Sequence, residues 1–132
     1  MRLTRSAVSL TLAVSLTAGA AYAAAAAPKC GDSGVTTEED LAAAPNCAAA
    51  QKLHAACSYS ASGDTGLAQV VIDKCEADFL PGMPAAQKRV YNAKLTACDA
   101  KYARRAGSVY VSAAAFCREN AAADYAKKFG RR

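Results

Sequence analysis

The sequence predicts an all-α fold, a small disulfide-stabilised helical bundle built of antiparallel helical hairpins. Alanine is abundant and large apolar side chains are scarce, so the helices can approach closely but each buries a modest apolar area. An even number of cysteines in an exported chain of this size is typical of a disulfide framework that supports a small core. The six cysteines are Cys30, Cys47, Cys57, Cys75, Cys98 and Cys117.

The first residues of the chain predict export. Arg2 and Arg5 precede an apolar stretch at residues 7–16 and the small-x-small motif Ala21-Tyr22-Ala23, which is the order found in a secretory signal peptide. Cleavage is expected after Ala23. A cut four residues later, and an N-terminal helix that belongs to the fold, are the alternatives.

The predicted organisation is a signal peptide at residues 1–23, an N-terminal segment at 24–36 and a single helical domain at 37–132. The chain that remains after cleavage is long enough for one compact domain and too short for two independent cores. No later stretch approaches the roughly 18 to 20 apolar residues that a membrane-spanning helix requires. The mature protein is therefore predicted to be soluble and periplasmic or secreted.

Two helices are expected first. Thr36 or Thr37 caps the first of them, because an acidic residue follows each threonine three positions later, as in a capping box or its aspartate variant. Pro45 ends this helix or changes its direction. A second helix is predicted over residues 46–59. One face of it carries Cys47, Ala50, Leu53 or His54, and Cys57.

A loop and a third helix follow. Residues 60–66 are turn-forming throughout, and the third helix is predicted over residues 67–79. The run Val70-Val71-Ile72 would also suit a strand, but no partner strand is evident elsewhere in the sequence. The Pro-rich segment at residues 80–84 is expected to stop the helix.

Two long helices complete the predicted fold. The fourth is expected over residues 84–105, where Tyr91, Leu95, Cys98 and Tyr102 recur at the spacing of one helical face. The pair Gly107-Ser108 suits the end of one helix and the cap of the next. The fifth helix is expected to run to residue 129.

Hairpin symmetry favours one disulfide pattern. Cys98 and Cys117 are equally distant from the turn between the last two helices, and Cys57 and Cys75 are centred on residue 66. Cys30 and Cys47 are then left to pair with each other. Six cysteines allow fifteen pairings, and the sequence does not decide among them.

The sequence carries no signature of an enzyme, a cofactor or a metal site. It lacks the Cys-x-x-Cys spacing of redox and zinc sites and the Gly-x-Ser-x-Gly motif of serine hydrolases. His54, the only histidine, precedes Cys57 by three residues, a spacing that could share a metal, but we interpret it as a partly exposed helix histidine. Asp73, Glu76 and Asp78 follow one helix and are interpreted as a solvated face rather than a catalytic pair.

Charge is divided between the two halves of the mature chain. Residues 28–83 hold three lysines and eight acidic residues, a net charge of −5, whereas residues 84–132 hold eleven basic and three acidic residues, a net charge of +8. The basic half could attract phosphate-bearing polymers or lipid head groups, although a solubilising role is the simpler interpretation. Nucleic acid is not expected as a partner, because export separates the chain from it. The predicted anion-binding residues are Lys88, Arg89, Lys94, Lys101, Arg104 and Arg105.

The last third of the chain contains the pattern Cys98-x8-Gly107-Ser108-x8-Cys117, two predicted helices joined by a Gly-Ser turn with a cysteine on each. This stretch resembles the C-terminal part of bacterial envelope proteins of the LprI-like lysozyme inhibitor family. The resemblance implies a Cys98–Cys117 disulfide, a helical fold, a periplasmic or extracellular location and inhibition of lysozyme. The chain departs from the family pattern at Val90-Tyr91-Asn92 and at Arg118-Glu119-Asn120.

These observations predict an exported, non-enzymatic binding protein of the bacterial envelope, with inhibition of a lysozyme-type muralytic enzyme as the sharpest form of that prediction. A strongly basic lysozyme would contact the acidic segment Asp32 to Asp40 and the loop Ser60 to Gly66, and the basic helix would face away. The alternative is a structural or adhesion protein that docks on anionic envelope polymers through Lys88 to Arg105. A small hydrolase is the third class of function.

Overall fold

The computed structural model describes residues 28–31 and 33–130, so the predicted signal peptide, Asp32 and the last two arginines lie outside the described residues. Within these ranges the fold is helical and contains no strand, which confirms the all-α prediction. No helix in the same ranges is both long enough and apolar enough to cross a bilayer. The elements are α1 (Glu38–Ala43), α2 (Cys47–Ala56), α3 (Asp64–Phe79), a 3-10 turn (Leu80–Gly82), α4 (Ala85–Tyr102) and α5 (Ser108–Phe129).

Local side chains account for the starts of the first two helices. Thr37 caps α1 through a capping box, in which Thr37 Oγ1 accepts from the Asp40 amide at 3.2 Å and the Thr37 amide donates to Asp40 Oδ2 at 3.0 Å. Asn46 caps α2, because its side-chain oxygen accepts from the Ala49 amide at 2.9 Å. Gly107 precedes α5 with a φ of +109°, a conformation that favours glycine.

Some predicted boundaries are wrong. Helix α3 begins at Asp64, three residues before the predicted start, so the end of the predicted loop belongs to the helix. The alternative strand at residues 70–72 is also wrong, because these residues lie inside α3. Helices α2 and α4 each end three residues earlier than predicted.

Helices α3 and α5 pack along each other and form the centre of the bundle. Helix α1 packs against α2 and α3, whereas α4 packs against α5. Helix α5 therefore buries two faces, one joined to α4 through Cys117 and the other directed at α2 and α3 through Glu119 and Ser112.

Aromatic side chains form the apolar core at the end of the bundle where α3 has its C-terminus. The Phe79 ring meets the Tyr91 ring edge-on at 5.1 Å between centroids, and Tyr125 lies 4.9 Å from Tyr91 and 5.5 Å from Phe129. Tyr91 and Phe79 are buried. Aromatic contacts of this kind add to the free energy of burying the rings. Aliphatic side chains continue the core along α3, among them Leu67, Val71 and Ile72.

Three disulfides cross-link the bundle: Cys30–Cys57, Cys47–Cys75 and Cys98–Cys117. The predicted Cys98–Cys117 pair is confirmed, and the predicted Cys57–Cys75 and Cys30–Cys47 pairs are wrong. The reason is the early start of α3, which centres the preceding loop near residue 60. Cys47 and Cys75 then lie at one level of the α2–α3 hairpin, with Cα atoms 4.7 Å apart, and Cys57 bonds the N-terminal segment.

Candidate functional site

The loop between α2 and α3, residues 58–63, is the most distinctive surface of the molecule; we call it the Tyr59 loop. Tyr59 is 53% exposed, although tyrosine side chains are commonly at least partly buried. Ser60 adopts a φ of +55°, which non-glycine residues rarely adopt. Such conformations persist where the surrounding structure imposes them, and they cluster at functional sites.

The Asp64 carboxylate imposes the conformation of the Tyr59 loop. Asp64 Oδ1 accepts from the Tyr59 amide at 2.7 Å, and Asp64 Oδ2 accepts from the Ala61 amide at 3.1 Å. The same Oδ2 accepts from the Ser112 hydroxyl of α5 at 2.6 Å. One buried carboxylate thus binds the backbone of the loop and, through Ser112, the central helix α5.

The environment of Asp64 keeps this carboxylate ionised. Burial is the largest single influence and would raise the pKa of Asp64, but hydrogen bonds from Ser112, Tyr59 and Ala61 and the neighbouring His54 outweigh it. The pKa of Asp64 therefore lies below its usual value. An ionised acceptor forms stronger hydrogen bonds with the loop amides than a neutral one.

His54 and Glu119 form the second layer of this support. His54 is buried, and its Nδ1 lies 2.5 Å from Glu119 Oε2. His54 Nε2 lies 3.8 Å from Asp64 Oδ1, and the imidazole stacks on the Phe116 ring with centroids 4.6 Å apart. Burial raises the pKa of the Glu119 carboxyl, and the hydrogen bond with His54 opposes that effect.

The network is not saturated with hydrogen bonds. Within the part of the chain that the structure describes, His54 Nε2 and Glu119 Oε1 are buried and have no hydrogen-bond partner. Each such atom costs free energy in a folded protein. The network therefore stabilises the fold less than a fully hydrogen-bonded network would.

The interpretation of His54 as a partly exposed helix histidine is wrong. Its partner Glu119 lies 65 positions later in the chain, beyond the reach of any local pattern. The alternative of a metal shared by His54 and Cys57 also fails, because Cys57 is bonded to Cys30. Among the described residues no group of three or more His, Cys, Asp or Glu side chains is arranged to hold a metal ion.

The network contains Ser, His and Asp, but it does not have the geometry of a hydrolytic triad. The Ser112 hydroxyl donates to Asp64 rather than to the imidazole of His54, whereas a nucleophilic serine needs a hydrogen bond to its base. Ser112, His54 and Asp64 are also buried, so a substrate has no access to them. The arrangement fits the positioning of a loop.

The acidic segment lies beside the Tyr59 loop. The Cys30–Cys57 disulfide and a hydrogen bond from the Thr36 amide to the Cys57 carbonyl, 3.1 Å long, join the N-terminal segment to the end of α2. Glu38 reaches the first turn of α3, where its Oε1 lies 3.1 Å from the position that a Cβ would take at Gly66. Glu38 thus lies beside the start of α3, directly after the Tyr59 loop, and we refer to the exposed residues Glu38, Glu39 and Asp40 together with the Tyr59 loop as the acidic loop surface.

The two segments predicted to contact a basic partner are therefore adjacent in the fold. The acidic loop surface as defined here leaves out two acidic residues of those segments. Asp64 is buried beneath it, and Asp32 lies outside the described residues.

The predicted anion-binding residues do not form one surface. At about 100° per residue, Lys94 and Lys101 lie on one side of α4, whereas Lys88 and Arg89 point in other directions. Lys94 and Lys101 line a groove between α4 and α5 beside the Cys98–Cys117 disulfide. Arg104 and Arg105 follow the end of α4, and Arg105 lines a different groove.

Sequence reasoning missed the residues that support the loop. Ser112 and Glu119 are seven residues apart on an alanine-rich helix, which places them on one face at about two helical turns. The signal in the sequence was the presence of two polar residues at the spacing of one buried helix face. The sequence offered no means of pairing them with His54 and Asp64.

Comparison of this chain with known proteins identifies no relative. No protein-family model, curated protein or solved structure matches this chain. The geometry of the acidic loop surface and of its buried support is therefore the basis for a functional proposal.

Proposed function

We propose that the protein is an exported, non-enzymatic binding protein of the bacterial envelope that engages a basic protein partner through the acidic loop surface. A lysozyme-type muralytic enzyme is the partner we expect. The observation that carries the proposal is the fixation of an exposed loop by a buried carboxylate, since Asp64 accepts from the Tyr59 and Ala61 amides inside the loop.

A preformed loop lowers the free-energy cost of association. Side chains and loops that become ordered at an interface oppose binding, and a loop that is already ordered avoids part of that cost. Tyrosine, serine and glycine, which make up much of the Tyr59 loop, are also the residues that dominate antibody loops. Tyrosine supplies a large rigid contact there, and serine and glycine adapt to the partner.

Charge supports a basic partner. Glu38, Glu39 and Asp40 occupy the first turn of α1 beside the loop, and opposite charges on two proteins accelerate their association and fix its orientation. The basic helix α4 packs against α5, while α1 packs against α2 and α3. The acidic first turn of α1 and the basic helix α4 therefore lie on elements that pack against different helices.

Export is supported by the cross-links as well as by the signal sequence. All six cysteines are paired in three disulfides. Structural disulfides form and persist in oxidising compartments such as the periplasm and the extracellular medium. Such a framework also suits a protein that must resist unfolding outside the cell.

The test measures binding and inhibition with purified exported protein. Lysozymes of the c, g and i types would be assayed for lysis of bacterial cell walls and for binding by calorimetry. We expect inhibition of at least one type. Tyr59→Ala should weaken binding by about 30-fold, the effect of losing a central aromatic contact, while Val90→Ala, at a similarly exposed position on α4, should leave it unchanged.

Two outcomes would contradict the proposal. If excess protein leaves all three lysozyme types fully active and unbound, lysozyme is not the partner. If a partner is bound but Tyr59→Ala and the charge-neutralising pair Glu38→Gln and Glu39→Gln leave its affinity unchanged, the acidic loop surface is not the binding site.

A further inference from the structure

We propose that a second groove, between α4 and the start of α5, binds a small carboxylate attached to a six-membered ring. This tyrosine-arginine groove is distinct from the acidic loop surface and is lined by two arginines and two tyrosines, Arg105, Arg118, Tyr102 and Tyr110. Its volume is about 310 Å³, within the range of small-molecule sites.

Arg118 supplies an unused donor in the wall of this groove. Its side chain is 32% exposed, but its Nε atom is buried and has no hydrogen-bond partner among the described residues. The nearest carboxylate oxygen is Asp99 Oδ1, at 4.0 Å, which is too far for a hydrogen bond. A buried donor without an acceptor costs free energy. Because this atom is closed off from solvent, a carboxylate in the groove would reach it after a shift of the Arg118 side chain, and the new hydrogen bond would remove that cost.

Arg105 is held close to the ring of Tyr110. Its guanidinium carbon lies 5.6 Å from the Tyr110 ring centroid, a cation–π contact that restricts the side chain. A planar guanidinium matches the geometry of a carboxylate, to which it can donate two parallel hydrogen bonds. Arg105 thus needs little rearrangement to bind an anion.

The charges of the groove favour one negative charge on the ligand. Arg105 and Arg118 are the positive groups that line it, and Asp99 is the negative one. Their net charge of +1 is neutralised by a monoanionic carboxylate, whereas a dianion such as a phosphate monoester would leave an uncompensated negative charge beside Asp99. The remaining polar group that faces the groove from α3 is the neutral Thr65.

The aromatic side chains indicate the rest of the ligand. Tyr102 and Tyr110 are each only partly buried and line the groove together, so their rings offer flat apolar surfaces beside the two guanidinium groups. The face of a sugar ring and the face of an aromatic ring both pack on such surfaces. Sugar acids and aromatic acids therefore share the chemistry that the groove would recognise.

Nuclear magnetic resonance titrations of the exported protein test this inference. Glucuronate and benzoate are the probes, and glucose and benzamide are their uncharged counterparts. We expect saturable shifts of Arg118 Nε–H and of the Tyr102 and Tyr110 rings with at least one acid, with a Kd of about 1 mM for ligands of this size. Shifts with glucuronate alone would identify a sugar acid as the ligand, and shifts with benzoate alone an aromatic acid.

Matched variants on α4 and its C-terminal extension complete the test. Arg105→Gln should weaken binding at least fivefold, while Arg89→Gln removes the same charge from another side of α4 and should leave the Kd unchanged. Arg118→Gln should abolish binding in protein whose spectrum shows that it is folded. Absence of saturable shifts up to about 20 mM, twenty times the Kd expected for such ligands, would overturn the proposal. So would equal binding of the uncharged counterparts or an equal effect of Arg89→Gln.

Discussion

The two ends of the α3–α5 pair are built from different chemistry. At the loop end, α3 and α5 contribute Asp64, Ser112 and Glu119 to a buried polar network that includes His54. At the opposite end the same two helices contribute Phe79 and Tyr125 to an aromatic cluster. Apolar burial is the main source of folding free energy, whereas a buried polar network fixes positions at a cost in desolvation. The comparison indicates that one end stabilises the bundle and the other positions a loop.

The polar groups of the two ends are placed differently. Tyr91, the buried tyrosine of the aromatic end, donates its hydroxyl to Glu76 Oε1 at 2.7 Å. Glu76 is partly exposed. Burial and the hydrogen bond to Glu76 both raise the pKa of Tyr91, which keeps the hydroxyl protonated. At the loop end, by contrast, Asp64, His54 and Glu119 are all buried.

The largest effect is expected from Phe79→Ala at the aromatic end. Phe79 is buried and contacts Tyr91 and Tyr125, so its truncation leaves a cavity and should lower the free energy of unfolding by about 3 to 5 kcal/mol. Denaturant titration measures the change. Because the loop end is untouched, partner affinity should stay unchanged where the variant is folded. A loss below about 1 kcal/mol would show that this end does not dominate stability.

The next largest effect is expected from Asp64→Ala at the loop end. The Tyr59 amide, the Ala61 amide and the Ser112 hydroxyl would lose their acceptor, and we expect a loss of about 2 to 3 kcal/mol because part of the loop can turn to water. Hydrogen exchange at the two amides should become fast. Asp78→Ala changes an exposed acid on the same helix and should stay within about 0.5 kcal/mol of the parent. Continued protection of both amides would contradict the positioning role.

Local chemistry explains which parts of this comparison the sequence predicts. The capping box of Thr37, the prolines after α3 and the glycine before α5 act through neighbours in the chain, so the helices are predicted well. The Cys98–Cys117 pair is predicted for the same reason, because a short turn sets the level of both cysteines. The acidic segment and the loop are candidate surfaces only through the resemblance to the lysozyme inhibitor family, which makes a basic partner the expected one.

The remaining features depend on contacts between distant residues. A shift of three residues in the start of α3 is enough to change which cysteines face each other. His54 is buried because Glu119 and Phe116 of α5 pack around it. No residue near His54 in the sequence indicates this burial. The adjacency of Glu38 and the first turn of α3 likewise follows from the Cys30–Cys57 cross-link and the packing of α1.

The pH dependence of stability separates the two carboxyl groups of the loop end. The pKa of Asp64 is lowered in the fold, so the unfolded chain binds more protons, and the stability from Asp64 is lost as pH falls below about 4. The pKa of Glu119 is raised, so its contribution is largest below about pH 4.3 and is lost as pH rises through the folded value.

Melting temperatures between about pH 2.5 and 8, a range that brackets the ordinary carboxyl pKa values, test these opposite signs. Asp64→Asn should flatten the loss of stability on the acid side, and Glu119→Gln should remove the decline that accompanies rising pH. Tyr91 at the aromatic end contributes no such dependence in this range, because its raised pKa keeps it neutral. If both substitutions change the pH dependence of the melting temperature in the same direction, the two carboxyl groups do not contribute with opposite signs.

The smallest expected effect compares one substitution, glycine to alanine, at both ends. A Cβ at Gly82, in the turn at the aromatic end, would meet nothing within 4 Å, whereas a Cβ at Gly66, in α3, would lie 3.1 Å from Glu38 Oε1. Each alanine restricts the unfolded chain and should add about 0.4 to 1 kcal/mol. Gly82→Ala should show that gain in full, and Gly66→Ala a smaller one, because Glu38 must move.

Denaturant titrations of four variants and the parent protein decide whether that difference comes from Glu38. Gly66→Ala, Gly82→Ala and Glu38→Ala would be compared with the double variant Glu38→Ala/Gly66→Ala, in which the gain at Gly66 should rise to the value at Gly82. If it does not rise, the acidic side chain is not held against α3. If it does, Gly66→Ala displaces Glu38 without removing its charge. The partner affinity of that single variant then reports whether binding at the loop end requires the position of the carboxylate or only its presence.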